Sequence, residues 1–278
     1  MLRRFVLALL AAVMPAWAAA DVLDKIAERG TIRLGVRTAA PPFAYLGEDG
    51  KPKGLAVRLC VEAAKRIGAQ LGQDLKTEFV PVDAKSRFPA LIAGETDLHC
   101  GPASATLSRR ELLDFSILYF VDGAAPATRP GALDTVFETA RGRFGALANT
   151  TTVAVVRDLV ERNGIKGTIE TYSQHKDGLA ALAAGKIDVY VADQAILLFQ
   201  IERLNLAEKL EVGEEVFSFE PYALVMKRGE SRLRLAVDRA LSRIYADAVI
   251  YKFIREELGD YEIPPEVGAV YNIAGMPE

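Results

Sequence analysis

Strands and helices alternate along nearly the whole chain, which predicts an α/β protein built from layered, largely parallel sheet. The alternation restarts after Phe120, and no low-complexity linker separates the halves. The 278 residues suffice for one large or two modest domains with real cores. Hydrophobic residues make up 50% and charged residues 26%, ordinary values for a soluble globular chain, and the formal net charge of −3 argues against a nucleic-acid or basic membrane-surface binder.

Residues 1–20 read as a signal peptide rather than part of the fold. Arg3 and Arg4 form a charged start, "FVLALLAAVM" is an apolar stretch too short to span a bilayer, and the small residues before Asp21 suit cleavage. Cleavage there, or after Ala18, exports the product and removes Trp17, the single tryptophan. It also takes the formal charge from −3 to −5. No later stretch is apolar enough for a transmembrane helix, so a soluble, periplasmic product is expected.

The elements follow in order. "DVLDKIAERG" predicts a short helix stopped at Gly30, and "TIRLGV" a strand. "RTAAPPFAYLGEDGKPKG" reads as a long loop, with turns at Pro41-Pro42 and Asp49-Gly50. Leu55–Ile67 is a helix, "KTEFVPV" a strand, Lys85–Ala93 a helix and "TDLHC" a strand. Arg109 and Arg110 then stand at an apparent helix start, where positive charge opposes the helix dipole. Beyond Phe120 come "GRFGALANTTT" (strand and turn), a helix ending at Gly164, strand "GTIETYS", helix "HKDGLAALAAG", strand "IDVYVAD" and helix "QAILLFQIERL". "EEVFSFEPYALVMKRG" reads as a strand pair, and "SRLRLAVDRALSRIYADAVIYKFIREELG" as two helices.

Neither a nucleophile elbow, a phosphate-cradling glycine loop nor an HExxH helix occurs. Cys60, Cys100, His99 and His175 have no metal-ligand spacing, so no metal or cofactor is expected. The cysteines either pair in an oxidising compartment or are separate buried hydrophobes. Small hydroxyl residues crowd two strand-to-helix turns: Ser104 and Thr106 before the helix of Arg109, and Thr150, Thr151 and Thr152 before the helix at Val153. Such turns serve as carboxylate sites or as plain N-caps, and Ser108 with Glu111 also fits a capping box.

"T-x-x-R" at Thr106 and Arg109, "DFS" at Asp114–Ser116 and Tyr119 resemble the family 3 extracellular solute-binding proteins, the periplasmic amino-acid receptors of ABC importers. "PPFAY" at Pro41–Tyr45, "RFPALIAGETDL" at Arg87–Leu98 and "AAGKIDVYVAD" at Ala183–Asp193 follow in the same pattern. Within the family, "LDKIAERG", "GVR", Cys100–Gly101, "HKD" at His175–Asp177 and "IPP" at Ile263–Pro265 are similar to the glutamate/aspartate-binding branch.

The resemblance implies a two-lobed periplasmic-binding-protein fold (type II) with two hinge strands and a ligand cleft between the lobes. It places 21–121 and 225–278 in lobe 1 and 122–224 in lobe 2. It implies Arg109 on the ligand α-carboxylate, with a guanidinium fork matched to the two oxygens, while Arg110 points elsewhere. Ser104 and Thr106 of that turn are counted with it as ligand-binding residues, and Thr151 would reach the same carboxylate from lobe 2. The family's usual glycine is matched to Thr150, which leaves Thr152 as an alternative hydroxyl. Asp193 would take the ligand ammonium; its plain reading is the N-cap of the next helix. Arg37, Arg87 and His175 match the groups that meet a distal carboxylate. Ala40 and Ala84 stand where an aromatic sandwich would be, with Phe43 and Tyr45 read as core and lid packing. Ala84 and Pro102 replace two branch serines.

The expected protein is therefore a non-enzymatic, monomeric receptor for an acidic amino acid or similar dicarboxylate. It would dock transiently on a membrane ABC permease and bind no nucleic acid. The rival is an enzyme on the same fold, similar to periplasmic cyclohexadienyl dehydratases, with His175 or Asp177 as general acid.

Overall fold

A computed structural model describes residues 21–259 and 261–277. The signal segment and its cleavage site lie outside the described residues. Among these residues, no helix is long and apolar enough to cross a membrane.

The chain runs α1 (Val22–Arg29), β1 (Thr31–Arg37), β2 (Ala39–Ala40), β3 (Ala44–Leu46), β4 (Pro52–Lys53), α2 (Leu55–Gln70), β5 (Lys76–Val82), α3 (Arg87–Ile92), β6 (Leu98–Cys100), α4 (Leu107–Arg110) and β7 (Leu113–Asp122). Then come β8 (Ala124–Thr128), α5 (Ala132–Thr139), β9 (Arg141–Leu147), α6 (Thr152–Arg162), β10 (Lys166–Tyr172), α7 (His175–Ala183), β11 (Val189–Asp193), α8 (Gln194–Arg203) and β12 (Glu211–Val212). The last are β13 (Glu220–Lys227), α9 (Ser231–Ala246), α10 (Val249–Leu258) and α11 (Pro265–Ala274).

Two five-stranded sheets organise two lobes, in the orders β5-β1-β6-β13-β7 and β10-β9-β11-β8-β12. Each has three parallel strands followed by antiparallel ones. The sheets are thus mixed rather than largely parallel. The antiparallel strands are those that carry the chain between sheets: β7 leads through Gly123 into β8, and the return enters β13.

The two crossings press together. Phe217 N donates to Ala124 O at 2.7 Å, and Ala124 N to Ser218 Oγ at 3.1 Å. A Cβ on Gly123 would lie 2.6 Å from Val216 Cβ and 2.7 Å from Ser218 O, so only glycine fits between them. Residues 213–219 are spent on this crossing. That is why the expected strand pair is a single strand, β13, with β12 added to the other sheet.

Other sequence expectations shift for local reasons. The loop after β1 folds into a small antiparallel sheet, β2-β3-β4, with a cis Pro41–Pro42 bond. α3 starts at Arg87 because Asp83 ties down the preceding turn, accepting from Lys85 N (2.9 Å) and Ser86 N (2.7 Å). α4 is a single turn capped by Thr106, whose Oγ1 accepts from Arg109 N at 3.3 Å, so the Ser108 capping box does not form. Arg109 and Arg110 end that turn and do not oppose a helix dipole. A third C-terminal helix, α11, packs on β7, with the Tyr271 hydroxyl donating to Tyr119 O at 2.9 Å.

The first lobe's core gathers α2, β1, β6, β13, α9 and α10. Cys60 on α2 and Cys100 on β6 are joined by a disulfide across it. Phe43, Phe120 and Tyr222 form an edge-on aromatic group, with centroids 4.9 and 5.1 Å from Phe43. Phe43 is fully buried, as expected, and Tyr45 lies under Arg203 of α8. Ala195 and Ile196 of α8 join the first core while Leu197 and Ile201 join the second, so α8 rides on the boundary.

Candidate functional site

A cavity lies between the lobes, at the carboxyl ends of β1 and β11 and the starts of α3, α6 and α7. Eight of the nine candidate residues line it. Arg37, Arg87, Ser104 and Arg109 come from the first lobe; Thr151, Thr152, His175 and Asp193 come from the second. The ninth, Thr106, does not; it caps α4 and so fixes the start of the turn that carries Arg109.

The arginines are held by backbone and ring. Arg109 Nη1 donates to Ser104 O at 2.9 Å. Arg87 Nη1 donates to Pro102 O at 3.0 Å and its Nη2 to Asn149 O at 3.4 Å, across the cleft. Both guanidiniums lie over the Phe88 ring, at 5.2 and 4.6 Å from its centroid. Among the described residues, buried Arg87 Nε has no partner and the Arg37 guanidinium makes no hydrogen bond to protein. Burial lowers the pKa of all three arginines; Arg37 and then Arg109 push Arg87 further down. Arg110 is exposed and turned away, over Phe115.

Asp193 ends β11, and its Oδ1 is buried without a partner while Oδ2 accepts from the Tyr222 hydroxyl. Burial, and then the Glu220 charge, raise its pKa to about 6. It does not cap α8 through its side chain. Asp122, at the end of β7, accepts from Ala195 N instead, at 3.3 Å.

His175 is the first residue of α7, 3% exposed, with Nδ1 3.1 Å from the Tyr190 hydroxyl. Gly178 allows this contact, because a Cβ there would lie 2.1 Å from the Tyr190 ring. Burial, aided by Arg37, lowers the His175 pKa to about 3, so the ring is a neutral donor. Asp177 is exposed and outside the cavity lining, and His99 is buried behind the arginines.

The hydroxyls are unequally free. Thr150 Oγ1 donates to Leu147 O at 2.7 Å. Thr151 Oγ1 donates to Glu220 Oε2 at 2.9 Å, and Ser104 Oγ donates to the same oxygen. Thr152, at the first turn of α6, makes no side-chain hydrogen bond among the described residues. The left-handed residue of this turn is Asn149, at φ 61°, so the glycine-like position lies one residue before Thr150. Ala84 opens onto an adjoining chamber that shares Arg37, Leu147 and His175 with the first.

Sequence reasoning missed Glu220, Tyr222, Phe88 and Asp122. Arg109's turn reaches Glu220 because residues 103–105 run beside β13, with Ala105 N donating to Pro221 O at 2.8 Å.

Two lobes joined by paired crossings, closed over a charged cavity, define a ligand-binding protein of the bilobal type. Residues 32–259 match the bacterial extracellular solute-binding proteins, family 3, and the chain belongs to that family. It is 28% identical over 266 residues to the L-glutamate/L-aspartate-binding protein of Pseudomonas aeruginosa, covering 93% of this chain and 88% of that one. It is 32% identical to the putative amino-acid ABC transporter-binding protein YhdW of Escherichia coli K12, over 76% of this chain and 62% of that protein. Among solved structures, an ancestral amino acid-binding protein that is a precursor of cyclohexadienyl dehydratase superposes with a TM-score of 0.73 at 23% identity, over 85% of this chain and 99% of that one, a likeness of fold.

Proposed function

We propose that this chain is the periplasmic receptor of an ABC importer and binds an acidic amino acid, glutamate or aspartate in type, by closing its lobes. In this reading 21–121 with 225–278 form one lobe and 122–224 the other, except that residues 220–224 open β13 and so lie in the first lobe's sheet. The observation that carries it is the charge count. Three guanidiniums, those of buried Arg37 and Arg87 and of half-buried Arg109, converge on one cavity. Among the buried carboxylates, Asp193 and, behind the hydroxyls, Glu220 oppose them, leaving one positive charge over, while Asp83 near Arg37 is exposed and outside the lining. A ligand with two carboxylates and one ammonium carries the complementary single negative charge. A basic ligand would add to the excess.

The α-carboxylate meets Arg109 and the first turn of α6, where Thr152 has a hydroxyl to give. The ammonium meets Asp193, whose free Oδ1 is the acceptor in place. The distal carboxylate meets Arg37, Arg87 and the neutral His175. Closure follows from differential affinity: only the closed form brings both sets of groups to one ligand. His175, uncharged above about pH 3, supports binding rather than general-acid chemistry. The permease partner and the export route follow from the family reading.

A thermal-shift screen of amino acids and dicarboxylates tests the proposal. A true ligand at a hundred times its dissociation constant stabilises the protein by roughly 2.7 kcal/mol. No shift with any acidic ligand, or turnover of prephenate or arogenate, contradicts it.

A further inference from the structure

Glu220 is 2% exposed at the start of β13, where the chain has just crossed between lobes. Its carboxylate collects three hydroxyls. Oε1 accepts from Ser218 Oγ at 2.9 Å, and Oε2 accepts from Thr151 Oγ1 of the second lobe and Ser104 Oγ of the first. A hydroxyl has one proton, and a carboxylate only accepts. Ser104 and Thr151 therefore have no proton left for a ligand carboxylate. What their hydroxyls still present to the cavity is lone pairs, which suit a cation.

We propose that Glu220 is a positioning residue that turns the Ser104 and Thr151 hydroxyls into acceptors and so extends the ammonium subsite of Asp193 across both lobes. This rests on the acidic-amino-acid reading above and corrects one part of the sequence-based expectation: the Thr151 hydroxyl serves the ammonium, and the α-carboxylate is left to Arg109 and Thr152. Glu220 does not itself line the cavity. It acts through the two hydroxyls, and by joining Ser104 to Thr151 it also links the lobes.

The test compares L-glutamate with glutarate, which has both carboxylates and no ammonium. Calorimetric titrations are run on the wild type, Glu220→Gln and Thr151→Val. The wild type should prefer glutamate. Glu220→Gln should weaken glutamate about tenfold or more and change glutarate less than about threefold, because the amide no longer fixes both hydroxyls as acceptors. Thr151→Val, which leaves Glu220 and the crossing in place, should show the same selective loss if Glu220→Gln fails to fold. Equal losses for the two ligands, or a selective loss of glutarate, overturn the inference while leaving the acidic-ligand reading intact. A wild type that binds neither ligand removes the reading and this inference with it.

Discussion

Asp122, not Asp193, accepts the Ala195 amide at the start of α8, at 3.3 Å. Asp193 is the residue positioned as the N-cap, yet its side chain makes no cap bond. A neighbour from the hinge strand has taken over the capping, and Asp193 keeps one buried oxygen without a partner. A capping aspartate would be bound to its own helix; this one is free for a ligand cation.

The consequence for pH follows directly. Without ligand, Asp193 is half-protonated near pH 6. A bound ammonium favours its ionised form, so below about pH 6 binding must displace a proton. Affinity for glutamate should fall by up to about tenfold per pH unit there, while the ligand's own side chain, with a pKa near 4.3, stays ionised above pH 5. Asp193→Asn should bind weakly at every pH, with the slope between pH 5 and 7 gone. Calorimetry at pH 5, 6 and 7 decides it; a wild type with flat affinity over that range contradicts the assignment.

Arg109 and Arg110 are adjacent but unequal. Arg109 is half-buried and anchored on Ser104 O, whereas Arg110 is exposed. Arg109→Ala should abolish measurable binding, since leaving a buried carboxylate unpaired costs on the order of 3–5 kcal/mol, a hundredfold or more in affinity. Arg110→Ala should leave binding nearly unchanged. Equal, small losses in the two titrations would mean that neither arginine meets the ligand.

His175 should make the unliganded protein acid-sensitive. The unfolded chain takes up a proton on this ring below pH 6.5, and the folded chain only near pH 3. Stability is therefore lost as pH falls below 6.5, at about 1.4 kcal/mol per unit from this group. Asp193 works the other way between about 6 and 3.8, where the folded state holds the extra proton. His175→Gln should narrow the stability gap between pH 7 and 5 by about 2 kcal/mol, measured by urea unfolding. Parallel pH curves for variant and wild type would place the ring in solvent.

From the residues alone, the hydroxyl-rich turns at Ser104–Thr106 and Thr150–Thr152 stood out; Arg37, Arg87 and Asp193 entered through the family resemblance, and with Thr151 and Thr152 they sit at strand ends or helix starts that face one cavity. What stayed hidden depends on distant packing. Glu220 and Tyr222 read as ordinary strand residues, because their role comes from the crossing that sets β13 beside residues 103–105. Asp122 could not be told apart as a cap without knowing that β7 ends against α8. The single turn of α4 was misread because Thr106 and Ser108 are both good caps two residues apart, and only the early start of β7 at Leu113 selects the first. The small β2–β4 sheet was masked by its prolines and glycines, which punctuate its turns as they would a loop. The Cys60–Cys100 pairing required knowing that α2 packs on β6.

The central claim is a cavity built for a second carboxylate. Its most direct test is calorimetric titration of L-glutamate and L-glutamine into the wild type and Arg37→Met at one pH. The amide is nearly isosteric with the acid, so the comparison isolates charge, and Arg37 does not titrate in the working range. The wild type should prefer glutamate by at least about tenfold, because charge-assisted hydrogen bonds contribute about 1.5–3 kcal/mol each. Arg37→Met should erase most of that preference. A wild type that prefers glutamine, or a variant that keeps the full acidic preference, would show that Ala84 and Pro102 have remade the distal pocket for a different ligand.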